Sequence, residues 1–124
     1  MIDIGTSAIR MEIGEIASDA TIRTLETLSR PVRIGKDAFT TGIIKRSTIE
    51  ECVAALASYR DVLNSYGITS DSQLRCIATS AVREADNRLA FVDRVYIATG
   101  IQVEPLDEAE VSRITFLGVQ STLL

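Results

Sequence analysis

Asp3 stands two residues ahead of Gly5, Thr6 and Ser7 in the opening stretch MIDIGTSAIRMEIGEI. The amides of a tight turn can form a small concavity that accepts an anion, and a glycine there lets a ligand approach the backbone closely. The aspartate raises a separate question, because a hairpin needs only its turn. Either Asp3 is kept for chemistry, or Gly5 merely serves the turn and Asp3 bonds its own backbone. A second polar group lies in ATSAVREADN, where Thr79 and Ser80 follow a predicted strand and open a predicted helix. Amides and the helix dipole favour an anion at such a start, and the Arg83 guanidinium one turn on can reach the same anion with a bidentate fork. The structural alternative is capping by Ser80 with Arg83 in solvent. The chain has no histidine, so chemistry falls to carboxylates, hydroxyls, arginines, backbone amides or an added ion. The two cysteines, Cys52 and Cys76, cannot form a Cys/His metal cluster and read as small buried hydrophobes.

The elements that must position these residues follow from hydrophobic period. Residues 2–4 and 8–16 read as a hairpin in which Ile9, Met11 and Ile13 alternate with Arg10, Glu12 and Gly14, and residues 21–29 add a third strand. RPVRIGKDAFTTGIIKRS carries Pro31, Gly35 and Gly42 and is expected to be a loop-rich connection. Its Arg30, Arg33, Lys36, Lys45 and Arg46, against Asp37 alone, make either a solvated surface loop or a local attractor for a polyanion. Ser47 and Glu50 have capping-box spacing, after which Ile49, Cys52, Val53, Leu56, Tyr59 and Leu63 recur at helical period up to a stop at Gly67. Residues 73–78 read as a strand and TSAVREA as a short helix. Asn87 caps another helix, with Leu89, Val92, Val95 and Tyr96 on one face. IQVEPL is a last strand, and Asp107 with Glu110 repeats the capping-box spacing before Val111, Ile114 and Leu117.

The order β-β-β-α-β-α-β-α predicts an α/β domain with a mixed five-stranded sheet flanked by helices, antiparallel where turns are short and parallel where helices intervene. At 124 residues, 46% of them hydrophobic, the chain suits one domain spanning 1–124 with a single core. A net charge of −4 argues against wholesale nucleic-acid binding. No apolar run is long enough for a membrane span and no signal peptide is visible, so a cytoplasmic location is expected.

The motifs IDIGT, VRIGKD...TTG, ATSAVREADN and TGIQVEPLDEAEVSRITFLGV, in that order, resemble the N-terminal domain of the exopolyphosphatase/guanosine pentaphosphate phosphatase (Ppx/GppA) family. That family belongs to the actin-like ATPase and sugar-kinase superfamily, and the resemblance implies the ribonuclease-H-like fold derived above. It implies that Gly5, Thr6 and Ser7 form a first phosphate-binding turn, that Thr79, Ser80 and Arg83 lie near the substrate phosphates, and that Arg33 of VRIG is a further phosphate contact. It places Asp3 beside Mg²⁺ and the substrate oxygens, and Glu110 as a catalytic carboxylate for the attacking water. The implied partners are polyphosphate or guanosine pentaphosphate and a C-terminal lobe that this chain lacks, with a homodimer of the full-length protein left open. Two departures stand out. Val111 occupies the second position of the family's usual glutamate pair, with Glu108 and Ser112 also differing nearby, and Ser7-Ala8 replaces the usual Asn-Ser after the first turn. The implied activity is Mg²⁺-dependent hydrolysis of a terminal phosphoanhydride, with the isolated domain inactive. The rival readings are a nucleotide-dependent kinase lobe and a non-catalytic phosphate-sensing domain.

Overall fold

A computed structural model describes residues 1–106. Five strands form one sheet in the order β3-β2-β1-β4-β5: β1 (Ile2–Ile4), β2 (Ala8–Ile16), β3 (Ile22–Pro31), β4 (Cys76–Ala78) and β5 (Val103–Pro105). The two hairpin connections give antiparallel β1–β2 and β2–β3 pairs, while β4 runs parallel to both β1 and β5. The mixed five-stranded sheet expected from the sequence is therefore present.

Strand alternation divides the sheet into two unlike faces. Ile2 and Ile4 of β1, Ile9, Met11 and Ile13 of β2, Cys76 and Ala78 of β4 and Val103 of β5 all belong to the main core. The helices α2 (Arg46–Ser65) and α4 (Arg88–Thr99) close over this face with Cys52, Leu56, Tyr59 and Leu63 from α2 and Phe91 and Val95 from α4. Tyr59 fixes α2 to the sheet by donating its hydroxyl to the Ile9 carbonyl at 2.7 Å, and Arg94 of α4 makes a forked ion pair with Glu50 of α2. The other face carries the register row Arg10, Asp3, Ile77 and Glu104 across β2, β1, β4 and β5. Asp3 thus stands on the face turned away from the main core.

The basic stretch is not a plain loop. It contains α1 (Ile34–Thr41), which begins just after Pro31 ends β3 and stops at Gly42, whose φ of 78° is the left-handed cap. Gly35, read from sequence as a breaker, is a packing residue inside the first turn, so the segment stays helical. The Ser47–Glu50 capping box is also absent. The helix α2 begins two residues earlier, with Lys45 at the cap and no side-chain cap bond from that residue. The buried Asp37 carboxylate of α1 does the work instead, accepting hydrogen bonds from the Lys45 amide at 3.1 Å and from the Thr48 hydroxyl. Gly67, with φ of 74°, does follow the end of α2 as expected.

The turn after β4 holds α3 (Ser80–Glu84), and the predicted strand at 73–78 shrinks to β4 behind a 3₁₀ turn at Asp71–Gln73. In α4 the buried face is Phe91 and Val95, whereas Leu89 is 76% exposed and Tyr96 52% exposed. Apolar residues surround that helix on all sides, so period alone could not select the stripe that meets α2. The expected helix capped by Asp107 and Glu110 lies outside the described residues.

Asp37 supplies a test of this arrangement. The Thr48 hydroxyl, then the Lys45 amide and neighbouring ammonium groups, hold its carboxyl below the ordinary value of 3.8. Its stabilising contribution is present above that value and is lost as pH falls through the depressed folded-state pKa. Asp37→Ala is expected to cost about 2 kcal/mol at pH 7, the scale for orphaning buried hydrogen-bonding groups. Urea unfolding of wild type and variant should show this gap at neutral pH and its shrinkage in strong acid.

Candidate phosphate-binding site

The site is built at the carboxyl ends of the two central parallel strands, where open α/β sheets bind ligands. Ile4 and Ala78 are register partners, and the Thr79 amide donates to the Ile4 carbonyl at 3.2 Å. The turn after β1 and the start of α3 therefore lie side by side. The two segments on which the sequence reading depends share one edge of the sheet.

The β1–β2 turn is closed by the Gly5 amide donating to the Ala8 carbonyl at 2.9 Å. Its outer carbonyls are consumed by the segment leading into α1: Val32 N–H donates to Ser7 O at 3.1 Å and Gly35 N–H to Thr6 O at 2.9 Å. The Thr6 and Ser7 amides have no hydrogen-bond partner among the described residues, and both residues are exposed. Occupied acceptors and open donors give the turn the polarity that an anion needs. A Cβ at Gly35 would fall 2.2 Å from Thr6 Cγ2 and 3.3 Å from the Thr6 carbonyl oxygen, so any side chain there forces Thr6 to shift and crowds the docked backbone. Arg33 is exposed at the N-cap of α1 and belongs to the same rim.

At the neighbouring turn, Thr79 sits at the cap position of α3 without a side-chain cap bond, and Ser80 opens the helix. The sequence alternative of capping by Ser80 is therefore not realised. Arg83 is half-buried and contacts the next residue, Glu84, at 3.4 Å, a long and partly exposed ion pair that holds the guanidinium weakly. Asn87, expected to cap α4, spends its side chain elsewhere: Oδ1 accepts from Ile44 N–H at 3.0 Å and Nδ2 donates to Ile44 O at 2.9 Å. Together with Asp86 N–H donating to Gly42 O at 2.7 Å, this ties the far end of α1 to the α3–α4 turn. The helix α1 thus braces the β1–β2 turn at one end through Gly35, and the segment around it holds the turn that follows α3 through Gly42 and Ile44.

Asp3 lies in β1, one residue before Ile4 and level with Ile77 of β4. Its Oδ1 is buried without a hydrogen-bond partner among the described residues, which disposes of the alternative that the side chain simply bonds its own backbone. Burial pushes its pKa above the ordinary 3.8, with the Arg10 guanidinium opposing the shift. An orphaned, partly desolvated carboxylate oxygen is a hard donor seeking a cation or a proton. The described residues contain no cluster of three or more Asp, Glu, Cys or His side chains suited to a metal. The donor set fits Mg²⁺, which is often held by one or two carboxylates, several waters and substrate phosphates, and does not fit a metal that needs an all-protein cage. Glu110 lies outside the described residues. The basic residues at 30–46 divide three ways, with Arg30 in β3, Arg33 and Lys36 at the start of α1, and Lys45 and Arg46 at the start of α2. Sequence reasoning missed Asp37 and Asn87 as cross-chain hydrogen-bonding groups, since only the fold brings their partners near; VRIG was the one signal for the Gly35 docking.

The mixed sheet in the order β3-β2-β1-β4-β5, with helices packed on it, is that of an α/β domain of the actin-like ATPase fold. The chain belongs to the Ppx/GppA phosphatase family, whose model matches residues 13–124. It is similar to the Aquifex aeolicus member of that family, with a TM-score of 0.85 and 27% identity over 95% of this chain and 37% of that one. An exopolyphosphatase from Cytophaga hutchinsonii gives a TM-score of 0.82 and 29% identity over 97% of this chain and 37% of that one. The bifunctional 3-dehydroquinate synthase/phosphatase of Fusobacterium nucleatum is 30% identical over 98% of this chain and 19% of its own length. The chain therefore spans between a fifth and two-fifths of these relatives. Among the described residues no helix is long and apolar enough to cross a membrane.

Two substitutions test the site's construction. Because burial raises the Asp3 pKa, the stability linked to this group is fully present below 3.8 and is lost as pH rises through the raised folded-state value. Asp3→Asn should therefore raise the urea midpoint at pH 7 and leave it unchanged in strong acid. Gly35→Ala should lower the midpoint by an amount equivalent to about 1–3 kcal/mol, the cost of forcing a methyl into a filled space.

Proposed function

We propose that these residues form the N-terminal lobe of a Mg²⁺-dependent phosphatase that removes the terminal phosphate of inorganic polyphosphate or guanosine pentaphosphate. The observation that carries this reading is the shared edge: the Gly5–Ser7 turn and the Thr79–Arg83 segment are joined by the Thr79–Ile4 hydrogen bond, with the unpartnered Asp3 oxygen in the strand that leads into the first of them. Membership of the Ppx/GppA family and the similarity to solved exopolyphosphatases support it.

The two turns have complementary tasks. The Thr6 and Ser7 amides hold the equatorial oxygens of the terminal phosphate, and Arg83 and Arg33 neutralise charge that spreads over those oxygens as the bond to the leaving phosphate lengthens. Arg83 can swing to the substrate at little cost because its contact with Glu84 is long and solvated. Asp3 would hold Mg²⁺, largely through waters, and the bound ion supplies neutralising charge at the phosphate oxygens. Water attacks the terminal phosphorus, the bridging P–O bond breaks, and the shortened chain leaves with the electron pair on its new terminal oxygen. Glu110 is the carboxylate proposed to orient that water and take its proton, with Val111 unable to share the task. The remaining lobe closes the other side of the cleft.

Phosphate release by the full-length protein tests the proposal. Hydrolysis of polyphosphate or guanosine pentaphosphate should require Mg²⁺, and Arg83→Ala should lower kcat/KM about 100-fold, the scale for losing one preorganised charge-stabilising group. Unchanged kinetics would remove Arg83 from the site. Binding of both substrates without any release would replace the phosphatase by a phosphate-sensing lobe.

A further inference from the structure

The rim of the β1–β2 turn carries an aromatic ring that the phosphate chemistry does not use. Phe39 lies on α1, four residues after Gly35, and is 53% exposed although the core of the same helix is closed by Ile34 and Ala38. The ring reaches back toward the site: Phe39 Cε2 lies 3.2 Å from the point a Gly35 Cβ would occupy, and Thr6 Cγ2 lies 2.2 Å from that same point. The absence of a side chain at Gly35 therefore brings the Phe39 ring edge and the phosphate turn together. Arg33 and Lys36, both exposed, stand at the cap and in the first turn of the same helix.

We propose that Phe39 is a specificity-determining residue that stacks on the purine of a nucleoside polyphosphate whose phosphate tail occupies the Gly5–Ser7 turn. This rests on the phosphatase reading above and selects between its two substrate classes. An exposed ring beside a cationic rim offers a π-face to any base, whereas inorganic polyphosphate has nothing to place against it. The aromatic contact therefore discriminates between ligands that the backbone amides alone treat alike.

Steady-state kinetics of the full-length protein with Mg²⁺ on guanosine pentaphosphate and inorganic polyphosphate test this. Phe39→Ala should raise KM for guanosine pentaphosphate and shift the ratio of the two kcat/KM values about tenfold toward polyphosphate, the low to middle range for losing one base–aromatic stack. Phe39→Tyr should restore the wild-type ratio. The proposal is overturned by an unchanged ratio, by equal losses on both substrates as expected of a ring packed against another part of the protein, or by a wild type that hydrolyses polyphosphate alone. A wild type that releases phosphate from neither substrate overturns the phosphatase reading itself, a result separate from any effect of Phe39.

Discussion

The hydrogen bond from the Thr79 amide to the Ile4 carbonyl, 3.2 Å long, is the last rung of the parallel β1–β4 pair, and the geometry of the site depends on it. Because the strands are parallel, both reach their carboxyl ends at the same edge. Because Ile4 and Ala78 are in register, their following turns begin level with one another. The Leu106 amide repeats the contact one strand over by donating to the Ala78 carbonyl at 2.8 Å, so β5 ends at the same edge as well. A slip of one residue between β1 and β4 would turn Ile2 and Ile4 out of the core and Asp3 into it. The apolar face therefore enforces the register that the polar site needs.

Around that edge, α1 acts as a brace whose two ends are fixed by different physics. At the start, a glycine without a side chain lets backbone meet backbone, and the Thr6 and Ser7 carbonyls are taken up so that the turn presents donors. At the other end, Gly42 in the left-handed region and the paired hydrogen bonds of Asn87 to Ile44 hold the helix to the α3–α4 turn. Between them, the Asp37 carboxylate accepts from the Lys45 amide at the cap of α2 and from the Thr48 hydroxyl. At Asp3 a carboxylate is kept partly desolvated, with one oxygen unpartnered among the described residues. Such a group costs the folded state and persists where a ligand compensates for it.

Much of this was legible in the sequence, and the remainder was hidden for identifiable reasons. Period-two and helical patterns placed all five strands and the helices α2, α3 and α4, most firmly β2 and α2, which bury a recurring apolar stripe against one core. The helix α1 was obscured by Gly35 and Gly42, which look alike as letters yet do different things: one allows close packing within a helix and the other ends it. Ser47 and Glu50 matched a capping box that the fold does not use, since α2 starts ahead of Ser47 and Asp37 of the preceding helix accepts from the Lys45 amide at its cap. Asn87 was correctly placed before α4, but its partner, Ile44, lies 43 residues away and no local rule could supply it. For the site, the residue types of the two turns were visible from composition and spacing, while their shared purpose came from resemblance. Only the parallel register shows that Gly5 and Ser80 stand at one edge.

The central claim is that the turn after β1 and the start of α3 enclose a single anion beside Asp3. The most direct measurement is a crystal structure of the full-length protein with Mg²⁺ and a methylene-bridged, non-hydrolysable triphosphate. The account predicts terminal phosphate oxygens on the Thr6 and Ser7 amides, Arg83 turned from Glu84 onto the same group, and electron density for the cation beside Asp3. A triphosphate bound at the opposite end of the strands, near Arg75 and Gln102, would contradict it.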